Sequence, residues 1–206
     1  QEELIDDLLG VSFNPNHKIV FAEDESWQNS HVPHSNPFAF IPQDRFGQAL
    51  LPGSTVVENF MLNRQAMTPD KGWLPQKKEI CARVNEQIGK YAIQTASPHA
   101  PIESLSGGHQ QRVVIAREFM ADPLFLLAHN PTRGLDIRAA RFVHDKLINW
   151  ACEKGSVLLF SAELSELFLL CQTIAVIYRG RIAAVRAKEE WSMEALGKAM
   201  AGAEGS

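Results

Sequence analysis

Apolar residues recur along this chain at two spacings, and the alternation between them sets the expected architecture. Leu4, Ile5, Leu8 and Leu9 keep helical spacing, with Gly10 placed as a C-terminal cap. Helical spacing returns from 56 to 65, at Ile80, Val84, Ile88 and Tyr91, at Val113, Ala116, Phe119 and Met120, and at Val143, Leu147, Ile148 and Ala151. Between these lie short continuous apolar runs at 38–41, 124–128, 157–160 and 173–178, which predict buried strands. A further short strand is expected at 18–22, a closing strand at 182–185, and helices at 163–170 and 192–200. Strand, helix and strand in succession with short links predict right-handed crossovers and a parallel sheet. The expected fold class is therefore α/β, with an all-helical insert between the strand at 38–41 and the strand at 124–128.

Composition narrows the function more than the fold. A chain of 206 residues with 45% hydrophobic content can bury one substantial core, and a net charge of -4 supplies no general attraction to nucleic acid or anionic lipid. Cys81, Cys152 and Cys171 form no C-x-x-C pair and read as reduced thiols rather than a disulfide framework or a zinc site. His31 and His34 have H-x-x-H spacing on a Pro-rich loop with no third ligand in view, so no metal site is expected. No apolar run approaches the roughly 18 residues that a membrane span requires. The chain opens at Gln1-Glu2-Glu3-Leu4, inside the first helical pattern, and is expected to be part of a longer protein.

The chemistry concentrates in Leu105-Ser106-Gly107-Gly108-His109-Gln110-Gln111-Arg112. Two glycines let backbone approach a bulky anion, Ser106 adds a hydroxyl, and a helix running on from His109 directs unpaired N–H groups to the same place. That is a phosphate site without a lysine. A Ser-capped helix after a Gly turn is the plain alternative. Polar Gln43-Asp44-Arg45, at the carboxyl end of the strand at 38–41, stands where open α/β sheets place ligands. Trp73 with Lys77-Lys78 suggests either a docking surface or a solvated loop.

These motifs resemble the nucleotide-binding domain of ABC transporters. The resemblance rests on 105–112, on Asn130-Pro131-Thr132-Arg133-Gly134-Leu135-Asp136 after an apolar strand, on Phe40-Ile41-Pro42-Gln43-Asp44-Arg45, and on Ala175-Val176-Ile177-Tyr178-Arg179-Gly180-Arg181-Ile182. It is similar to the second ATPase cassette of sugar and nucleoside importers and covers nearly the whole chain. The implied fold is a P-loop NTPase parallel-sheet core with a helical subdomain insert. The implied division gives 1–44 and 116–206 to the ATPase core, the latter with a C-terminal hairpin and helix, and 45–115 to a helical subdomain ending in the signature motif.

In such cassettes two domains face each other head to tail. The resemblance therefore implies that Ser106, Gly107, Gly108 and Gln110 contact ATP held mainly by a partner, that Asp136 is the D-loop residue and that Gln43 is the Q-loop residue. The departures point to a degenerate site in this chain. Gln1 and Glu2 align with the end of the phosphate loop, Gln1 standing where its lysine belongs. His129 and Asn130 replace the magnesium-linked Asp and the catalytic Glu, and Ala162 replaces the switch histidine. The implied cofactors are ATP and Mg2+, the latter held mainly by the partner domain. The implied partners are a second ABC ATPase domain and transmembrane permease subunits, with no nucleic acid and a peripheral place on the cytoplasmic face of the membrane. The expected function is that of an importer ATPase component whose own site is silent. A non-catalytic regulatory or scaffold module gripping a permease is the alternative.

Overall fold

The computed structural model describes residues 38–63, 77–153 and 155–202. Gln1, Glu2, the helix expected after Leu4, the strand expected at 18–22, His31, His34 and Trp73 lie outside them. The described residues form two compact units, 38–170 and 171–202.

In the first unit, three parallel strands carry the site. β1 (Phe38–Ile41), β2 (Phe125–His129) and β3 (Ser156–Phe160) lie in the order β1-β2-β3, with Ile41 opposite Ala128 and His129 opposite Phe160. Leu126, Leu127 and Ala128 are all buried although neighbouring side chains point to opposite faces, so β2 is covered on both sides as its unbroken apolar run predicts. β3 departs from the expected fully buried strand. It is an outer strand among those described, and Ser156 and Leu158 are exposed while Phe160 alone is buried.

Between β1 and β2 the described residues carry helices and one isolated antiparallel bridge, Thr55 opposite Pro101: the helices are α1 (Arg45–Gln48), α2 (Val56–Met61), α3 (Lys77–Lys90), a 3-10 turn at Ile102–Ser104, and α4 (Gly107–Phe119). Asp44 caps α1 through the N–H of Gly47, and a Thr55/Glu58 capping box starts α2. α2 stops at Met61, short of the expected 65. Val56, Phe60, Ile102, Val113, Val114 and Ile115 have essentially no exposure and join this insert to β1 and β2 in one core. Arg117 fastens the arrangement, its Nη1 donating to Ala49 O at 2.6 Å and Asn59 O at 3.3 Å. After β2 come α5 (Ile137–Glu153) and α6 (Leu164–Leu170), on either side of β3 in sequence.

The second unit holds the antiparallel pair β4 (Thr173–Tyr178) and β5 (Arg181–Ala187), with a register shift between Val176 and Ile177, followed by α7 (Met193–Met200). β5 runs two residues past the expected end at 185, because cross-strand pairing extends to Thr173 opposite Ala187.

Candidate functional site

Gln43, Asn130 and Ala162 follow the carboxyl ends of β1, β2 and β3, and the parallel register brings them together. Asn130 Nδ2 donates to Gln43 Oε1 at 2.6 Å, and the N–H of Ala162 donates to Asn130 Oδ1 at 2.9 Å. The backbone of Asn130 is held as well: its N–H donates to Phe160 O at 2.7 Å, and Arg133 N–H donates to Asn130 O at 3.0 Å. Its φ of 41° lies in the left-handed region, which Asn adopts more readily than most side chains. His129 is 7% exposed, with its ring edge-on to Phe160 at a centroid distance of 6.3 Å. Neither the His129 nor the Asn130 side chain is a carboxylate.

The stretch at 105–112 starts α4 at Gly107, two residues earlier than expected. Ser106 occupies the N-cap, yet its side chain makes no capping hydrogen bond, so the hydroxyl stands uncommitted at a helix N-terminus. A Cβ on Gly107 would meet Arg45 Nη2 at 3.2 Å, and one on Gly108 would meet the Ala139 Cβ of α5 at 2.9 Å. Gly108 thus permits close packing of α4 on α5 as well as backbone approach to an anion. Arg45 Nη1 donates to Arg133 O at 3.2 Å, and these two arginines with Gln43, Asp44 and Phe46 line a shallow recess of about 350 Å³.

The two glutamines after His109 point inward. Gln110 is 6% exposed, and its Nε2 donates to Leu105 O at 3.0 Å and Ile102 O at 3.4 Å. The side chain braces the turn from beneath, through hydrogen bonds within this chain. Gln111, 1% exposed, donates to Pro131 O at 2.8 Å. His109 faces outward, its Nδ1 accepting from Gln94 N–H at 3.1 Å.

The loop from 131 to 136 is gripped from several sides. Thr132 Oγ1 donates to Glu166 Oε1 at 2.9 Å, and His144 Nε2 lies 2.8 Å from the same oxygen. Glu166 is 4% exposed. Asp136 caps α5, its Oδ1 accepting from Ala139 N–H at 2.8 Å, with Ile137 beside it 88% exposed. Sequence reasoning singled out Asp136, and it included Arg45 and Thr132 in its motifs without giving either a role of its own, but it missed His144 and Glu166. No local pattern pointed to those two, which lie on α5 and α6 and meet Thr132 only through the fold.

A protein-family model described as ABC transporter matches residues 5–133. The guanosine import ATP-binding protein NupO of Bacillus subtilis is 38% identical over 163 residues, covering 79% of this chain and 32% of that protein. The nucleoside import ATP-binding protein NupA of Lactococcus lactis is 35% identical over 164 residues, with coverage of 79% and 32%. The ribose import ATP-binding protein RbsA of Shouchella clausii is 30% identical over 161 residues, with coverage of 78% and 32%. The chain thus spans about a third of the length of the curated relatives it matches. Among solved structures, a metal-chelate type transporter in an inward-facing conformation aligns with a TM-score of 0.72 at 17% identity, covering 98% of this chain and 73% of that one. A dimeric ATP-binding cassette bound to ADP and Pi aligns with a TM-score of 0.60 at 21% identity, covering 75% and 64%. Both likenesses are likenesses of fold.

Proposed function

The chain belongs to the ABC transporter family, and from that premise we propose that it is part of the ATP-binding subunit of an importer, with nucleosides or sugars as cargo. In this reading 1–44 and 116–206 form the ATPase core and 45–115 the helical lobe. The chain lends Ser106, Gly107 and Gly108 to an ATP held with its Mg2+ by a second cassette. Its own site does not hydrolyse. A helix N-terminus with a free hydroxyl stabilises charge on a terminal phosphate but supplies neither a base nor a metal ligand. Asn130 carries the proposal: the residue at the hydrolytic position is neutral, and both ends of its carboxamide are bonded within the chain, to Gln43 and to Ala162.

The subunit sits on the cytoplasmic face of the membrane against permease subunits. Phe46, Leu51, Met61 and Leu62 on the insert are exposed apolar side chains open to that contact, and no helix among the described residues is long and apolar enough to cross a membrane. The cargo class follows the nucleoside and sugar import named for the relatives above.

Substitution in the full-length protein tests the division of labour. Ser106→Ala is expected to lower the ATPase rate of the assembled transporter about tenfold or more, and Asn130→Ala by less than about threefold. Equal losses would sink the reading. Ser106 is a cleaner probe than Gly108, where any side chain also collides with Ala139.

A further inference from the structure

We infer that Asn130 is a positioning residue, a two-sided brace that ties the Gln43 segment to the Ala162 segment by hydrogen bonds internal to the chain. The inference rests on the reading of this site as non-hydrolytic and adds what the replaced residue does instead. Three observations carry it.

The first is placement. Asn130 follows the middle strand of the described sheet, with β1 on one side and β3 on the other. Adjacent strands lie about 4.8 Å apart. A residue in this place can reach the segments after both neighbours with one short side chain, and Asn130 does so at 2.6 and 2.9 Å.

The second is chemistry. The two neighbours make opposite demands, since Gln43 presents an oxygen and Ala162 an N–H. A carboxamide has a donor and an acceptor on one carbon and satisfies both, whereas an ionised carboxylate only accepts. A Glu here would also carry a longer side chain in a left-handed backbone conformation, where Asn is tolerated and Glu is not favoured.

The third is the fixed base of the side chain. The N–H and C=O of Asn130 are both bonded, to Phe160 and Arg133, so the carboxamide is launched from a held backbone. The consequence is mechanical. Gln43 stands two residues before α1, the start of the helical insert, and Ala162 two residues before α6. The brace holds these two entrances at a set separation.

Hydrogen–deuterium exchange by mass spectrometry on the full-length protein, following peptides across 160–164, tests this. Asn130→Ala should speed exchange at the Ala162 amide about tenfold. Gln43→Ala removes no bond to Ala162, yet by freeing the far end of the carboxamide it should speed the same amide about threefold, with strand β2 unchanged. Asn130→Asp keeps an acceptor for Ala162 and tolerates the backbone but has no donor for Gln43, so its exchange should rise only about threefold, as in Gln43→Ala. An unchanged Ala162 rate in either alanine variant overturns the brace, and so does an Asp variant that exchanges as fast as Asn130→Ala. The measurement needs no nucleotide. Hydrolysis at this chain's own site would therefore refute the reading beneath the inference while leaving the exchange result to stand or fall separately.

Discussion

His109 shows how one side chain in the motif acquires a pH dependence. Partial burial and the neighbouring Arg112 push its pKa below the ordinary 6.5, with Asp136 pulling the other way. The neutral ring accepts from Gln94 N–H through Nδ1, and protonation of that nitrogen would abolish the bond. In the unfolded chain the imidazole takes up its proton near 6.5, and in the folded chain only at lower pH. The stability it lends is therefore present above about 6.5 and lost as the pH falls through the lower folded value. His109→Gln keeps an acceptor that does not titrate. Its melting temperature should match the parent at pH 7.5 and fall less on going to pH 5, as thermal melts at the two values would show.

At the level of elements, the helices and strands are held by close approaches that tolerate little change. Gly155 enters β3 so close to β2's approach that an added Cβ would lie 2.1 Å from the carbonyl oxygen of Leu124, whereas Gly197 within α7 has open space around its Cβ position. Gly155→Ala should cost about 1–3 kcal/mol through forced backbone movement, and Gly197→Ala should gain about 0.5–1 kcal/mol from helix propensity. Urea denaturation of the two variants would give opposite shifts of midpoint. Most of this framework was legible in the sequence because burial writes itself into local pattern. The run at 124–128 became β2, displaced by one residue, and the spacing of Val143, Leu147 and Ala151 marked α5, although that helix starts earlier, at Ile137, because Asp136 caps it. The start of α4 was read two residues late, since glycines argue against helix until the packing of Gly108 on Ala139 is seen.

At the level of the molecule, a cassette that lends a binding surface but does not hydrolyse makes the partnership asymmetric. Vanadate trapping in the assembled transporter is expected to retain about one nucleotide per pair of cassettes, because only one of two facing sites completes the reaction. Two trapped nucleotides per pair would contradict the proposal. The loss of charge at His129, Asn130 and Ala162 could be read from the sequence by residue type alone. Their joining could not, for Asn130 and Gln43 are 87 positions apart and Asn130 and Ala162 are 32 apart, and no local pattern encodes such a bond. The same holds for the buried meeting of Thr132, His144 and Glu166. The left-handed backbone of Asn130 also bears on how the site could be re-engineered. A Glu placed there would meet an unfavourable conformation, lose the donor to Gln43, and still face a histidine at 129 and an alanine at 162. Under the proposal, then, no single substitution at 130 is expected to confer hydrolysis, and the position resists conversion one residue at a time.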